Sequence, residues 1–292
     1  MTPTATLMHS RTLEPAVETL IRQALEEDLG HGDMTTDLLP ELFRPGTGWI
    51  VSRQSGIVSG LEIAETVFRL VDPRLEITFS ANNGERMGID KKLIKIAGPV
   101  SSMLKAERVA LNFLQHLSGI ATETRKFVDA IADSKSLITD TRKTTPGLRL
   151  LEKRAVVHGG GRPHRFNLSS AVMLKDNHIE AVGSITHAVN LLRQQISHTA
   201  KIEVEADTLA QAKEALDAGA DIILLDNMTL EQLKEAVILI DSKAITEASG
   251  GVTLETVAAI AKTGVDYIST SRITLGAPPI DIALDLAFSQ YF

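Results

Sequence analysis

Two cations stand side by side in Thr139-Asp140-Thr141-Arg142-Lys143-Thr144-Thr145-Pro146-Gly147-Leu148-Arg149, directly after the short apolar run Leu137-Ile138. An arginine fork and a lysine point charge held together suit a substrate that carries several negative charges. Charged residues recur at the ends of later apolar runs: Lys175-Asp176-Asn177-His178, Glu203-Val204-Glu205 and Leu225-Asp226-Asn227. The stretch His158-Gly159-Gly160-Gly161-Arg162-Pro163-His164-Arg165 joins a glycine run to His164 and Arg165. Glycines let a backbone approach closely, the last two residues suit a carboxylate, and His164 could also move a proton.

Each of these features has a plain structural alternative. Arg142 and Lys143 could be a solvated pair, and the glycine run an exposed linker. A lysine at the end of a buried strand is costly unless paired or liganded, so Lys175 favours a functional reading, with Schiff-base chemistry as one option. Glu203 and Glu205 flank Val204 and point to the same side of a strand. Glu205 and Asp226 could meet and hold Mg²⁺, which needs only one or two protein carboxylates, or could serve as structural partners of Lys175 and Arg142. Ser249-Gly250-Gly251 and Ser269-Thr270-Ser271 follow the last two apolar runs, where backbone N–H groups can hold a phosphate. Arg108 reads from periodicity alone as a solvated helix charge. Glu27 to Thr36 reads as a turn built on Asx and Thr backbone bonds.

These residues need elements to carry them. From Leu137 the pattern alternates, with strands expected at 137–140, 171–175, 201–205, 221–225, 244–248 and 265–269 and helices at 184–195, 208–218, 229–240 and 253–263. Gly219-Ala220-Asp221 and Gly264-Val265-Asp266 occupy matching places before successive strands, as helix C-caps would. This predicts an incomplete, TIM-like α/β barrel with its chemistry at the strand C-termini. A doubly wound open sheet is the alternative, with ligands at the same strand ends. Upstream, a helix over 14–27, another near 61–70 and short strands at 49–51, 56–58, 75–79 and 93–96 predict a separate α+β module. A helix capped at Ser101-Ser102 is expected to break at Ser118-Gly119 and a second to continue to about Ala132. The tail from Pro278 to Phe292 is apolar and amphipathic and could pack back on the upstream module or on a partner chain.

The 292-residue chain has a net charge of −7, so a basic site must be local and neither nucleic acid nor an anionic membrane is an expected partner. The absence of cysteine excludes disulfides, thiolate nucleophiles and Cys-ligated metal sites. Met1 to Arg11 show no apolar signal core and no run reaches membrane-spanning length, so a cytoplasmic location is expected.

In their order along the chain these segments resemble the quinolinate phosphoribosyltransferase family, the carboxylating nicotinate-nucleotide pyrophosphorylases. The likeness runs from Glu27-Asp28-Leu29-Gly30-His31-Gly32-Asp33 through Glu107-Arg108, His116 to Thr122, Asp140 to Arg149, Gly159 to Gly161, His164-Arg165, Lys175 to His178, Glu203 to Glu205 and Leu225 to Asn227. It ends at Ser249 to Thr253 and covers nearly the whole chain. It implies an N-terminal α/β sandwich over 1–116, joined by the segment 276–292, a catalytic barrel over 117–275 and a head-to-tail homodimer, with higher assembly left open. It also implies transfer of phosphoribosyl from phosphoribosyl pyrophosphate to quinolinate with decarboxylation, in de novo NAD synthesis, with Mg²⁺ as cofactor. By position, the resemblance puts Arg142, His164, Arg165 and Lys175 around quinolinate, has Lys143 also contact bound anions and brings Arg108 in from the partner subunit. It makes Lys143, Lys175, Glu205 and Asp226 the catalytic set, with Glu205 and Asp226 facing ribose and the metal–pyrophosphate group. Ser249, Gly250, Gly251, Ser269 and Ser271 would lie near the ribose 5-phosphate.

The chain departs from the family in three places. Asn167 stands where Gly is usual and Ser170 where Asp is usual. Ile268-Ser269-Thr270-Ser271 followed by Arg272-Ile273-Thr274-Leu275 replaces the usual Ile-Ser-Val-Gly and Ala-Leu-Thr-His. Three other readings compete: a paralogue acting on another heterocyclic acid, a Schiff-base lyase centred on Lys175, and a non-catalytic anion-binding protein.

Overall fold

The computed structural model describes residues 14–287; the expectations for Met1 to Arg11 and for the last residues of the tail lie outside them. Contacts divide the chain into two compact units. The first runs through Ala121 and resumes at Pro278; the second is Thr122–Ala277.

In the first unit, α1 (Pro15–Leu29) has proline in its first turn and buries Val17, Ile21 and Leu25 along one face. The turn beyond it is closed by Asp33, whose Oδ1 accepts the backbone N–H groups of Thr35 (2.9 Å) and Thr36 (3.0 Å), as the Asx reading requires. Next come β1 (Pro45–Ser52), β2 (Gly56–Ile57), α2 (Leu61–Val71), β3 (Glu76–Phe79), β4 (Arg86–Met87) and β5 (Lys92–Pro99). β5 leads straight into α3 (Val100–Ala130).

α3 corrects two expectations. It is a single helix of 31 residues, with no cap at Ser101-Ser102 and no break at Ser118-Gly119. The polar residues read as helix signals do other work. Ser102 Oγ donates to Asp72 Oδ2 (2.6 Å), and Arg74 with Ser102 holds that buried carboxyl well below the usual carboxylate range. Ser118 Oγ accepts the Ser59 N–H (3.1 Å) and donates to the Ser59 carbonyl (3.2 Å). Gly119 admits a close backbone crossing, because a Cβ there would overlap the carbonyl oxygen of Pro278. Tertiary packing overrides the weak local preference against glycine in a helix.

The second unit contains β6 (Leu137–Thr139), α4 (Arg149–His158), β7 (Val172–Leu174), α5 (Asp176–Val182), α6 (Ile185–Arg193), β8 (Ile202–Ala206), α7 (Leu209–Asp217), β9 (Ile222–Asp226), α8 (Leu230–Ile240), β10 (Ile245–Ser249), α9 (Leu254–Ala261), β11 (Tyr267–Ser269) and α10 (Arg272–Leu275). The strands and the four expected helices fall close to the ranges read from the sequence. Helices α4 and α5 were not expected. The six strands form one parallel sheet in the order β6-β11-β10-β9-β8-β7. From β7 to β11 successive strands are neighbours, and β6, the first, lies beside β11, the last. That is the connectivity of a barrel; a doubly wound sheet reverses its order partway. The ring stays open between β6 and β7. There the glycine-rich segment runs along the free edge of β6: Arg162 N donates to Ile138 O (2.8 Å) and Arg162 O accepts from Asp140 N (3.3 Å).

The repeated Gly-x-Asp triplets tie strand beginnings together. Asp221 accepts from Ile202 N (2.7 Å) and pairs with Arg193 (2.5 Å). Asp266 accepts from Thr246 N (2.9 Å) and pairs with Lys135 (3.0 Å). Gly219 and Gly264 take the left-handed backbone, with φ of 81° and 91°, that a helix C-cap demands.

The tail re-enters the first unit as β12 (Ile282–Ala287), antiparallel to β1, giving the sheet β12-β1-β5-β3. Among the described residues no helix is long and apolar enough to cross a membrane.

Gly119→Ala tests the crossing. In an ordinary helix this change stabilises; here overpacking against Pro278 is expected to cost about 1–3 kcal/mol, read as a lower urea midpoint. An unchanged or higher midpoint contradicts the crossing.

Candidate active site

Parallel strands present their C-terminal ends together, and the polar residues singled out above lie at or just beyond those ends in the second unit. Lys175 follows β7, Glu205 and Asp226 close β8 and β9, Ser249 closes β10, and Ser269 closes β11. The arrangement has an acidic side, a cationic side and a set of phosphate-sized turns.

On the acidic side, Glu205 forms an ion pair with the Lys175 ammonium group. Carboxylate oxygens of Glu205, Asp207 and Asp226 all lie within 4.8 Å of one another, a spacing that fits a divalent cation. Lys175 is also the N-cap of α5: its N–H donates to His178 Nδ1 (3.0 Å), which gives His178 a structural role.

Deeper in the barrel, His164 Nε2 lies 3.3 Å from Glu203 Oε1 and 3.5 Å from Glu247 Oε1, both on buried carboxylates. Burial alone would lower the imidazole pKa. The hydrogen bonds to Glu203 and then Glu247 outweigh it and raise the value to about 10. The Arg165 N–H donates to His164 Nδ1 (2.7 Å), which opposes a proton on that nitrogen. The two buried carboxylates hold the Nε2 proton, while the Arg165 N–H on Nδ1 favours the neutral ring and works against the upward shift.

On the cationic side, a buried ion pair fixes the backbone. Lys153 Nζ meets Asp140 Oδ1 (2.5 Å) and donates to the His164 carbonyl (3.1 Å), while His164 N donates to the same Asp140 oxygen (2.7 Å). Burial pushes the Asp140 carboxyl up and the Lys153 ammonium down, against their mutual attraction. Fully buried Glu152 accepts the Thr145 N–H (3.2 Å), and Thr274 Oγ1 donates to the Lys143 carbonyl (2.8 Å). The loop so held exposes the Lys143 side chain and leaves Arg142 half-buried, with its Nε buried and unpaired. Arg165 donates to the Ala171 carbonyl (3.2 Å). Burial and then the neighbouring Arg142 push its guanidinium pKa down, with Glu203 opposing. Two like charges kept this close suit an anion between them.

The turns after β9 and β10 interlock. Asn227 N donates to Ser249 O (2.9 Å), and Gly250 has φ of 88° with the Asn227 side-chain oxygen where a Cβ would sit. Only glycine fits there. Gly251 also has a left-handed backbone, with φ of 62°. Ser271, by contrast, has φ of −82°, so serine in place of glycine brings no backbone strain. Ser269 is buried. Asn167 and Ser170, the other two departures, meet each other: Ser170 Oγ donates to Asn167 Oδ1 (2.7 Å) and closes the turn between them. Arg108 stands exposed on α3 in the first unit.

Sequence reasoning missed Glu247, Lys153 and Glu152. Glu247 had a signal, because it alternates with Ser249 across Ala248 as Glu203 does with Glu205. Lys153 and Glu152 lie on α4, which was not recognised. A cavity of about 610 Å³ opens elsewhere, near the strand N-termini, lined by Lys201, Asp221, Lys243 and Asp266. That end of a parallel barrel serves stability, and Asp221 and Asp266 are already committed to structural pairs.

Residues 33–118 match the model of the quinolinate phosphoribosyl transferase N-terminal domain, and residues 120–285 that of the C-terminal domain. The chain is 44% identical over 273 residues to a probable carboxylating nicotinate-nucleotide pyrophosphorylase of Synechocystis, covering 92% of each chain. It is 41% identical to a probable enzyme of the same name from Bacillus subtilis, covering 93% of each. The crystal structure of NadC from Streptococcus pyogenes superposes with a TM-score of 0.91 at 40% identity, over 96% of this chain and 99% of that one.

The His164 clamp predicts a pH dependence of stability. A pKa raised from 6.5 to about 10 in the fold means a contribution fully present below pH 6.5 and lost as pH rises toward 10. Glu247→Gln weakens the clamp, so the loss is expected at lower pH. Urea midpoints taken across this range check it, and identical pH profiles for the two proteins would contradict the clamp.

Proposed function

The chain belongs to the quinolinate phosphoribosyltransferase family, and from that membership we propose how its barrel carries out the reaction. The activity is that of a carboxylating nicotinate-nucleotide pyrophosphorylase. Phosphoribosyl pyrophosphate and quinolinate give nicotinate mononucleotide, pyrophosphate and carbon dioxide, a step of NAD biosynthesis.

The assignment of roles rests on one observation above all: the buried Arg142 Nε has no hydrogen-bond partner, and Arg165, partly buried itself, stands near it. Quinolinate, a rigid acid with two carboxylates, satisfies both. Arg142, His164, Arg165 and Lys175 hold it, with the exposed Lys143 closing over bound anions. Ser249, Gly250, Gly251, Ser269 and Ser271 take the 5-phosphate of the second substrate through backbone N–H and hydroxyl groups.

Held this way, the pyridine nitrogen attacks the anomeric carbon as the bond to pyrophosphate breaks. Positive charge develops on the ribose, and the carboxylates of Glu205 and Asp226 stabilise it. Glu205 and Asp226, with Asp207 beside them, would hold Mg²⁺, and their oxygen spacing fits that ion. When bound, Mg²⁺ neutralises charge on the leaving pyrophosphate. The quaternised ring nitrogen then acts as an electron sink. The adjacent carboxylate leaves as carbon dioxide, and the electron pair stays on the ring carbon until a proton replaces it. Positioning and fixed charge supply most of the catalysis. The ion pair of Lys175 with Glu205 argues against the lyase reading, which needs a free amine.

The working unit in this reading is a head-to-tail homodimer in which Arg108 of one chain completes its partner's site. Exposed Met34, Leu38 and Phe43 in the first unit provide an apolar surface for such docking. A cytoplasmic location belongs to the same proposal and accords with a cysteine-free chain.

Incubation with Mg²⁺, phosphoribosyl pyrophosphate and either quinolinate or nicotinate tests the reading. Nicotinate mononucleotide and carbon dioxide are expected from quinolinate only; product from neither, with ligands still bound, would point to an anion-binding protein. Arg142→Ala and Lys175→Ala are each expected to abolish turnover with the circular dichroism spectrum unchanged. Mixing inactive Arg108→Ala with inactive Lys175→Ala should restore part of the activity through mixed dimers; no recovery would remove the shared site.

A further inference from the structure

We propose that Arg149 is a positioning residue for the quinolinate pocket, one guanidinium that locks the Arg142–Thr144 loop to the segment that follows Arg165. Arg149 opens α4, and each of its side-chain nitrogens donates to a protein oxygen. Nε reaches Thr144 Oγ1 (3.0 Å), Nη2 the Arg142 carbonyl (3.2 Å) and Nη1 the Phe166 carbonyl (3.3 Å). The acceptors lie in two separate loops. One loop carries Arg142 and Lys143; the other continues directly from Arg165.

The same face of α4 repeats the task. Arg149, Glu152 and Lys153 are spaced i, i+3, i+4 and so share one side of the helix. Glu152 takes the Thr145 N–H, and Lys153 takes the His164 carbonyl and Asp140. Every one of these contacts ends on the backbone of a cation-bearing loop or on Asp140 beside it. Lys153 joins the base of the Arg142 loop, at Asp140, to His164; Arg149 adds a second bridge farther out, from the Arg142 carbonyl itself to the Phe166 carbonyl. The like charges of Arg142 and Arg165 repel. Backbone carbonyls, with their negative ends on Arg149, let a third cation hold the first two in place. A lysine offers its donors from a single atom and lacks the spread of the planar fork that reaches both loops.

This inference rests on the pocket assignment above, and its test separates the two. Arg149→Ala and Arg149→Lys are expected to raise the KM for quinolinate about tenfold or more, with the KM for phosphoribosyl pyrophosphate little changed, because a displaced clamp loses binding without losing the phosphate turns. Millimolar guanidinium ion should recover part of the loss in Arg149→Ala. Hydrogen exchange at Lys143 to Thr145 and at Phe166 and Asn167 needs no substrate and should rise in both variants. If the wild-type protein does not turn over quinolinate, the pocket reading fails while the exchange result still decides the role of Arg149. Wild-type kinetics and exchange in Arg149→Lys would overturn the proposal. So would KM values for both substrates rising together with a collapse in thermal stability, since that marks a merely structural residue.

Discussion

The buried pair of Lys153 and Asp140 is the contact on which the arrangement of the site depends. Removing two ions from water is expensive, and their attraction alone rarely compensates. Here each ion also binds the backbone of His164, one through its carbonyl and the other through its N–H. The pair thus fixes three parts of the chain at once: the end of β6, the face of α4, and the segment that carries His164 and Arg165. An uncharged replacement could fill the volume but could not set that register.

With that register set, charge is sorted across the mouth of the barrel. Glu205, Asp207 and Asp226 gather beyond β8 and β9, while Arg142, Lys143 and Arg165 are presented from the opposite, open side of the ring. Lys175 spans the two through its pair with Glu205. In the proposed reaction, fixed groups of opposite sign at short range would stabilise the charge that shifts between ribose and pyrophosphate without waiting for solvent to reorganise. The buried carboxylates of Glu203 and Glu247 extend the negative side inward and clamp His164 between the two regions.

Much of this was legible in the chain because parallel strands buried on both faces read as short apolar runs, each ending in a polar residue. That texture located the six strands and put the candidate site residues at their ends. Ser118-Gly119 misled because the signal for a helix break and the signal for a close crossing are the same residues; only the position of Pro278 separates them. Helix α4 stayed hidden because the residues that serve the site, Arg149, Glu152 and Lys153, put charge on its inward face and erase the apolar stripe by which helices are read. Lys153 and Glu152 went with it. Glu247 shows the opposite failure, a residue whose alternation with Ser249 was visible and was passed over.

The unclosed ring between β6 and β7 has a consequence for how such a site can change. In a closed barrel every strand is locked between two neighbours, and a new side chain at one strand end disturbs both. Here Arg142, His164 and Arg165, proposed to grip the pyridine acid, lie on a connection laid along a free edge, where only two ladder hydrogen bonds, both made by Arg162, join it to β6 and side chains of α4 hold the rest. The residues proposed for the sugar phosphate stand on the fully paired strands. Selection can therefore rework the acid-recognising connection while the phosphoribosyl half is inherited intact. Asn167 and Ser170, two departures that meet in one turn of that connection, are the kind of paired drift such an arrangement tolerates.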